Sequence, residues 1–299
     1  MLLERLERFA KKPSAEERTT PRFLTQKTLA RLPFLPVHVR IQLPPKEEVR
    51  YWWSYIPMSF HADRSLLDYW GDDIGEVRFV WQFLQPGMTV LDIGAHHGFY
   101  SMLAAKRMEN KGLIVAFEPS TRERKRFDLH MRWNGAQGVL LEPYAVSSAS
   151  GALKFYCVDT AYTMMNSLKK PRLEGPVHED SVEAVSLDEY IENRGIQKID
   201  FIKIDVEGGE LEAFRGAQGV LDKIRPIVMC EVLDYVTEAW GYPARTKVTF
   251  LKERGYEWFD FGKNGELFEH EERESYSEPK NYLAVPREKL DLIARWQSA

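Results

Sequence analysis

At 299 residues the chain is long enough for one large domain, or for a core domain with additions. Its 44% hydrophobic, 29% charged and 12% aromatic residues are those of an ordinary globular protein, and a formal net charge of -4 gives no electrostatic footprint for nucleic acid, which is not expected as a partner. No run approaches the roughly 18 apolar residues that a membrane-crossing helix needs, and the charged start MLLERLERFAKKP lacks a signal-peptide core, so the expected compartment is the cytoplasm.

Leu2, Leu3, Leu6 and Phe9 recur at helical spacing and predict a short amphipathic helix over 2–11. Residues 13–50 are rich in proline (Pro13, Pro21, Pro33, Pro36, Pro44, Pro45) and read as an extended, irregular arm. YWWSYIPMSF, 51–60, is dense enough in aromatics to require burial against the core domain, another subunit or a sugar face. Residues 1–75 are therefore read as an N-terminal extension for substrate or homo-oligomer contacts, and 76–299 as the main domain.

From residue 76 strands and helices alternate. Strands are expected at 88–93, 113–117, 138–142, 152–158, 182–186, 199–205 and 226–232, and helices at 98–108, 120–133, 187–194, 207–223 and 244–254. This α/β alternation argues for a mostly parallel sheet with helices on both faces. The tail adds strands at 256–261 and 281–285, split by a glutamate-rich stretch, 263–280, that reads as a solvated loop. Cys157 and Cys230 stand in separate apolar contexts and read as buried strand thiols.

Two carboxylates mark a ligand site. In VLDIGAHHGFYS a hydrophobic strand ends in Asp92, and Gly94 and Gly98 frame a tight loop before a helix. Parallel sheets bind ligands at this point, but the spacing is not the GxGxxG of a dinucleotide site, which argues against an oxidoreductase. The next strand, LIVAFEP, ends in Glu118, placed to accept both hydroxyls of a ribose. Two strand-tip acids without a phosphate loop point to a nucleoside carrying positive charge, as in S-adenosylmethionine. The adjacent His96 and His97 are expected to shape the loop or touch ligand rather than to hold a metal. A third cluster, FIKIDVEGGE at 201–210, puts Lys203, Asp205 and Glu207 on one face of a strand. Buried without partners they would cost too much, so they belong at the strand's tip, in the site.

These pieces resemble the FkbM family of S-adenosylmethionine-dependent methyltransferases. The likeness rests on VLDIGAHHGFYS (90–101), VAFEPS (115–120), YAVSSASG (144–151), NSL (166–168), VSLDEYI (185–191), IDFIKIDVEGGELEAFRGA (199–217) and NYLAVP (281–286). It implies a Rossmann-like class I methyltransferase sheet with an antiparallel C-terminal strand, and transfer of a methyl group to a hydroxyl of a small-molecule, sugar or glycoside acceptor. Asp92, Gly94 and Gly98 would line the methionine moiety, with Ala95 and His97 counted as cofactor-binding. Glu118 would hold the ribose, Ser120, Tyr144 and Ala145 would lie near the adenine, and Asp205 and Glu207 would face the sulfonium and the acceptor. Many relatives carry a smaller or amide residue where His96 stands.

An alcohol must lose its proton on methylation, and Asp205, Glu207, His61, His96, His97 and His178 are the available bases. His178, in EGPVHED, either caps the site or is a solvated loop histidine. A divalent metal on Asp205, Glu207 and Glu231 is the alternative to purely side-chain chemistry, the other reading being that these acids bind helix N-terminal amides. An N-methyltransferase acting on an amine, and a non-catalytic nucleoside-binding protein, are the competing functions.

Overall fold

The computed structural model describes residues 35–43, 47–56, 75–159, 163–173 and 175–298. The chain falls into two units, Met1–Asp73 and Ile74–Ala299. In the first, β1 (Leu35–Leu43) and β2 (Glu47–Ile56) pair antiparallel from Leu35↔Ile56 to Leu43↔Glu47. The expected irregular arm therefore contains regular structure. Val37, Val39 and Ile41 alternate with His38, Arg40 and Gln42, a two-residue period that outweighs the proline content around it. Residues 51–56 of the aromatic stretch fall in β2; the predicted helix at 2–11 and residues 57–60 lie outside the described residues.

The second unit opens with α1 (Gly75–Phe83), which the sequence reading passed over, and continues with β3 (Thr89–Ile93), α2 (Phe99–Arg107), β4 (Leu113–Phe117), α3 (Thr121–Asn134) and β5 (Val139–Glu142). After an excursion come α4 (Leu187–Arg194), β9 (Phe201–Ile204), α5 (Glu210–Arg215), β10 (Ile227–Glu231), α6 (Asp234–Thr237), α7 (Arg245–Lys252), β11 (Tyr256–Phe261), β12 (Leu267–Glu269) and β13 (Asn281–Pro286). They build one eight-stranded sheet in the order β12-β11-β13-β10-β9-β3-β4-β5. Strands β10, β9, β3, β4 and β5 run parallel, and β13, β11 and β12 are antiparallel, as the sequence predicts for the C-terminal end. The buried centre is Leu91, Ile93, Val115, Phe117, Ile202, Ile204 and Val228 on one face and Val90, Ile114, Ala116, Phe201, Ile227 and Met229 on the other, apolar on both faces as a covered parallel sheet requires. Cys157 and Cys230 are buried free thiols, as expected.

Three expectations need correction. The strands at 152–158 and 182–186 do not join the main sheet. They lie in β7 (Gly151–Val158) and β8 (Val177–Val185), which pair antiparallel and, with β6 (Ala145–Val146), make a separate three-stranded sheet. The segment between β7 and β8 contains no crossover helix among the described residues, so a parallel pairing is not open to them. The helix expected at 207–223 is α5 followed by a π-helical turn, Val220–Ile224. The glutamate-rich stretch 263–280 is not all solvated: it holds β12 and the buried Leu267, His270 and Tyr276, whose ring and hydroxyl contacts anchor it to Tyr282 and Asp260.

The chain passes from β3 outward through β4 to β5, then returns to lay β9 and β10 on the other side of β3. The sheet's direction of growth switches between β3 and β9, and ligands of open parallel sheets bind at the carboxyl ends of strands at such a point. Asp92 on β3 sits directly across from Lys203 on β9 there.

Candidate active site

The loop after β3 is held by backbone. The amides of Gly94 and Ala95 both donate to the Phe117 carbonyl, at 3.1 and 2.9 Å, tying the loop to the tip of β4. Gly94 takes φ +75°, and a Cβ there would lie 1.9 Å from the Asp205 carbonyl oxygen, so only glycine lets the β3 and β9 turns approach this closely. The Asp92 carboxylate is buried. Its Oδ2 accepts from Ser101 N (2.9 Å) and Oγ (2.6 Å), while Oδ1 has no protein partner. Burial pushes the Asp92 carboxyl up, opposed by Lys203 and by the hydrogen bonds from Ser101.

Glu118 closes the second strand. Its Oε2 accepts from His96 N and its Oε1 from Ser120 N, both at 2.8 Å. Burial nevertheless pushes it up to about 7. Ser120 itself caps α3, its hydroxyl accepting from Glu123 N, and reaches the site only through its amide.

Lys203, on β9, is buried with its ammonium 3.3 Å from Asp205 Oδ2 and 3.5 Å from the Gly94 carbonyl, beneath the Tyr100 ring. Burial works against its charge, but the carboxylates of Asp205, Asp92 and Glu76 raise it overall, so it stays an ammonium. Beside it the Tyr100 hydroxyl donates to Glu76, which also accepts from Asn281 Nδ2 at 3.1 Å. Glu207 follows in left-handed backbone, φ +54°, unusual for a residue with a side chain. Burial, and then the charges of Glu231 and Asp205, hold its carboxyl well above the usual range, and Glu231 is raised the same way.

Of the residues singled out from sequence, Gly94, Glu118, Tyr144, Ala145, Asp205 and Glu207 line one open cleft of about 560 Å³, solvent included, together with His96. Asp92, Ala95 and Gly98 stand behind it, in and under the loop. His97 is not among the lining residues: it is buried, with Nε2 2.6 Å from Glu123 Oε2 and 2.8 Å from Arg126 Nη1, stitching the loop to α3. His96, at φ +50° with its ring stacked 3.5 Å from that of His97, is the histidine that faces the cleft. His178 is not brought to the cleft. It lies on β8, half-exposed, paired with Asp159 at 2.5 Å. His61 lies outside the described residues.

Two metal-like groups occur among the described residues. The donor atoms of His96, His97 and Glu123 come within 4.8 Å of one another, but the Arg126 guanidinium already stands against His97. The acidic set is Asp205, Glu210 and Glu231, with Glu210 in the place expected for Glu207. Glu210 is already committed: Oε2 accepts from the Lys247 ammonium at 2.9 Å and Oε1 from the amides of Val206 and Gly208. This donor set fits an internal ion pair better than a divalent cation.

A family model described as the methyltransferase FkbM domain matches residues 92–258, just over half of the chain. The chain belongs to the FkbM methyltransferase family. Among curated relatives, the hexuronic acid methyltransferase AglP of Haloferax volcanii is 25% identical over 155 residues, 51% of this chain and 59% of its own length. The 2-O-methyltransferase NoeI of Sinorhizobium fredii is 26% identical over 156 residues, 47% of this chain and 62% of its own. The chain thus spans about three-fifths of each relative. Among solved structures, the methyltransferase FkbM of Methylobacillus flagellatus KT superposes with a TM-score of 0.44 at 14% identity, over 67% of this chain and 44% of that one.

Several residues in and around this cleft escape sequence reasoning. Glu210 left a trace: an acid opening a short helix, placed to reach back to the amides of the preceding turn, which is the role first weighed for Asp205 and Glu207. Lys247, Trp240 and the Glu76–Tyr100–Asn281 group come from distant segments and leave none.

Proposed function

We propose that the chain is an S-adenosylmethionine-dependent O-methyltransferase acting on a hydroxyl of a sugar-like acceptor. The observation that carries this reading is the junction of the β3 and β9 turns, where Gly94 and Asp205 meet at the switch point with Glu118 on one side and Glu207 on the other. The residues fit the cofactor. The close backbone approach at Gly94 sets the β3 and β9 turns side by side at the cleft, the buried Asp92 Oδ1 has no protein partner behind it, and Glu118 offers two oxygens at the second strand's tip. When bound, S-adenosylmethionine supplies an electrophilic methyl group on a positively charged sulfur.

The chain's own residues then orient and deprotonate. Asp205, anchored by Lys203, sets negative charge at the mouth of the cleft. Glu207 would be the base that takes the proton from the acceptor's hydroxyl. A carboxyl held above its usual range is better matched to that task than an ordinary one. Glu207→Gln is expected to lower kcat by about 10²–10⁴-fold with little change in cofactor affinity, and to remove the rise of kcat with pH that ionisation of Glu207 produces. Wild-type turnover on amines but not on alcohols would replace the hydroxyl with an N-acceptor. Activity is expected to survive excess chelator; loss rescued by magnesium would reinstate Asp205 and Glu231 as ligands.

Glu118 makes a second prediction. Its folded value, about 7, lies above the ordinary 4.5, so the folded chain holds this proton more tightly than the unfolded one. The stability it contributes without ligand is full below pH 4.5 and lost as pH rises through about 7. Accepting from two ribose hydroxyls requires the ionised form. Calorimetry with S-adenosylhomocysteine should therefore show affinity rising about tenfold from pH 6 to pH 8, with the slope absent in Glu118→Gln. No binding by the wild type at any pH would sink the cofactor assignment.

A further inference from the structure

A second hollow, about 260 Å³ with its solvent, adjoins the cofactor cleft and shares two residues with it, Ser167 and Glu207. The shared residues are fixed to each other. The Glu207 carbonyl accepts from Ser167 Oγ at 3.0 Å and from the Trp240 indole N–H at 3.1 Å, so its strained peptide is clamped from both walls. The indole is packed hard on the turn: a Cβ on Gly209 would stand 2.9 Å from it. Trp240 is thus held at a fixed place relative to the backbone of the residue assigned as base.

The other walls carry charge. Arg172 is ion-paired with Glu238, and its carbonyl accepts from the Tyr235 hydroxyl, which closes the rim. Lys169 is different. Its ammonium lies 5.8 Å from the Trp240 ring centroid, and among the described residues no carboxylate comes within ion-pair distance of it. The hollow therefore presents an aromatic face with one ammonium over it that no carboxylate among the described residues compensates, and the residue assigned as base at the passage to the methyl donor. A pyranose has an apolar C–H face that suits an aromatic plane, and its hydroxyls project sideways. A ring lying on Trp240 would direct a hydroxyl toward Glu207 and a substituent toward Lys169.

We infer that this hollow is the acceptor subsite and that it takes an anionic pyranoside, with its apolar face on Trp240 and its carboxylate or phosphate at Lys169. The inference rests on the reading of Glu207 as the residue facing the acceptor oxygen. Neither a neutral sugar nor a planar apolar ligand would bring an anion to Lys169.

The test measures binding rather than turnover, so that it stands apart from the proposed reaction. The full chain loaded with S-adenosylhomocysteine is titrated with methyl β-glucopyranoside, methyl β-glucuronopyranoside and methyl β-glucopyranoside 6-phosphate. Both anionic glycosides, or one of them, should bind about tenfold tighter than the neutral one, the difference a charge-assisted contact provides. A preference for the glucuronoside identifies a uronic acid, and one for the phosphate a sugar phosphate. Lys169→Glu, an exposed position that leaves the fold intact, should abolish the preference while S-adenosylhomocysteine affinity changes less than about twofold. Trp240→Leu should weaken all three glycosides together, and Trp240→Phe should restore most of that loss. Equal binding of neutral and anionic glycosides, a preference that survives Lys169→Glu, or binding of none of the three overturns the inference. A charge preference without methyl transfer would instead refute the proposed reaction and leave the subsite standing.

Discussion

Gly94→Ala is expected to abolish S-adenosylhomocysteine binding and to lower the unfolding midpoint by roughly 5–15 °C, at about 2–4 °C per kcal/mol for a domain of this size. Two costs add. Gly94 sits at φ +75°, where a side chain costs about 1–2 kcal/mol. Its new Cβ would also meet the Asp205 carbonyl oxygen at 1.9 Å and carbon at 2.9 Å. These are backbone atoms, held by the Asp205 amide's bond to the Ile93 carbonyl at 3.0 Å, so no rotamer change can relieve the clash, and overpacking of this kind costs about 1–3 kcal/mol. The β3 and β9 turns must part, and those turns carry Gly94, Asp205 and Glu207 to the cleft proposed to hold the cofactor. Gly87→Ala separates the two costs. That residue has φ +90° with nothing within 4 Å of its Cβ, so it pays the conformational cost alone and should keep full affinity. Calorimetry and a thermal melt on the two variants decide the matter; Gly94→Ala binding within about twofold of wild type would show that this junction does not hold the cofactor.

How far the site could be read from sequence follows from how local its parts are. Asp92, Gly94, Glu118 and Asp205 each terminate a strand within a short motif, and once the strands are parallel the topology brings their tips together without further information. The five parallel strands were legible for the same reason: apolar runs separated by helix-length segments admit few other arrangements. Residues whose meaning depends on a distant partner were not legible. His97 has the sequence position of a ligand contact, but Glu123 and Arg126 on α3 draw it into the core and leave His96 at the cleft. His178 resembles a loop histidine because nothing in EGPVHED announces the nine-residue strand that begins at Val177. Trp240 and Lys169 gain a role only because the segment around Ser167 folds over the Glu207 turn.

Removing either end of the buried Glu210–Lys247 pair should destabilise the fold by about 3–5 kcal/mol, more than any exposed ion pair here could. Both side chains are fully buried, 2.9 Å apart. Lys247 also donates to the Glu231 carbonyl at 2.7 Å, and Glu210 accepts the Val206 and Gly208 amides at 2.9 and 3.3 Å. Burial opposes the ammonium, but Glu210, the largest of the opposing causes, and then Cys230 and Glu231 raise Lys247 overall. Glu210→Gln thus strands a buried cation, and Lys247→Met strands a buried carboxylate. The double variant strands neither charge, since a glutamine can still accept from the two amides and a methionine fills the lysine's volume. Its loss should fall short of the sum of the single losses by about 2 kcal/mol or more in urea unfolding. Additive losses would mean that the pair is not coupled. The consequence for activity is separable from stability. Glu210 fixes the turn that carries Glu207 through its Oε1, so Glu210→Leu, which removes that acceptor, should lower kcat even at temperatures where the variant is fully folded, while S-adenosylhomocysteine affinity, proposed above to depend on Gly94 and Glu118, changes little.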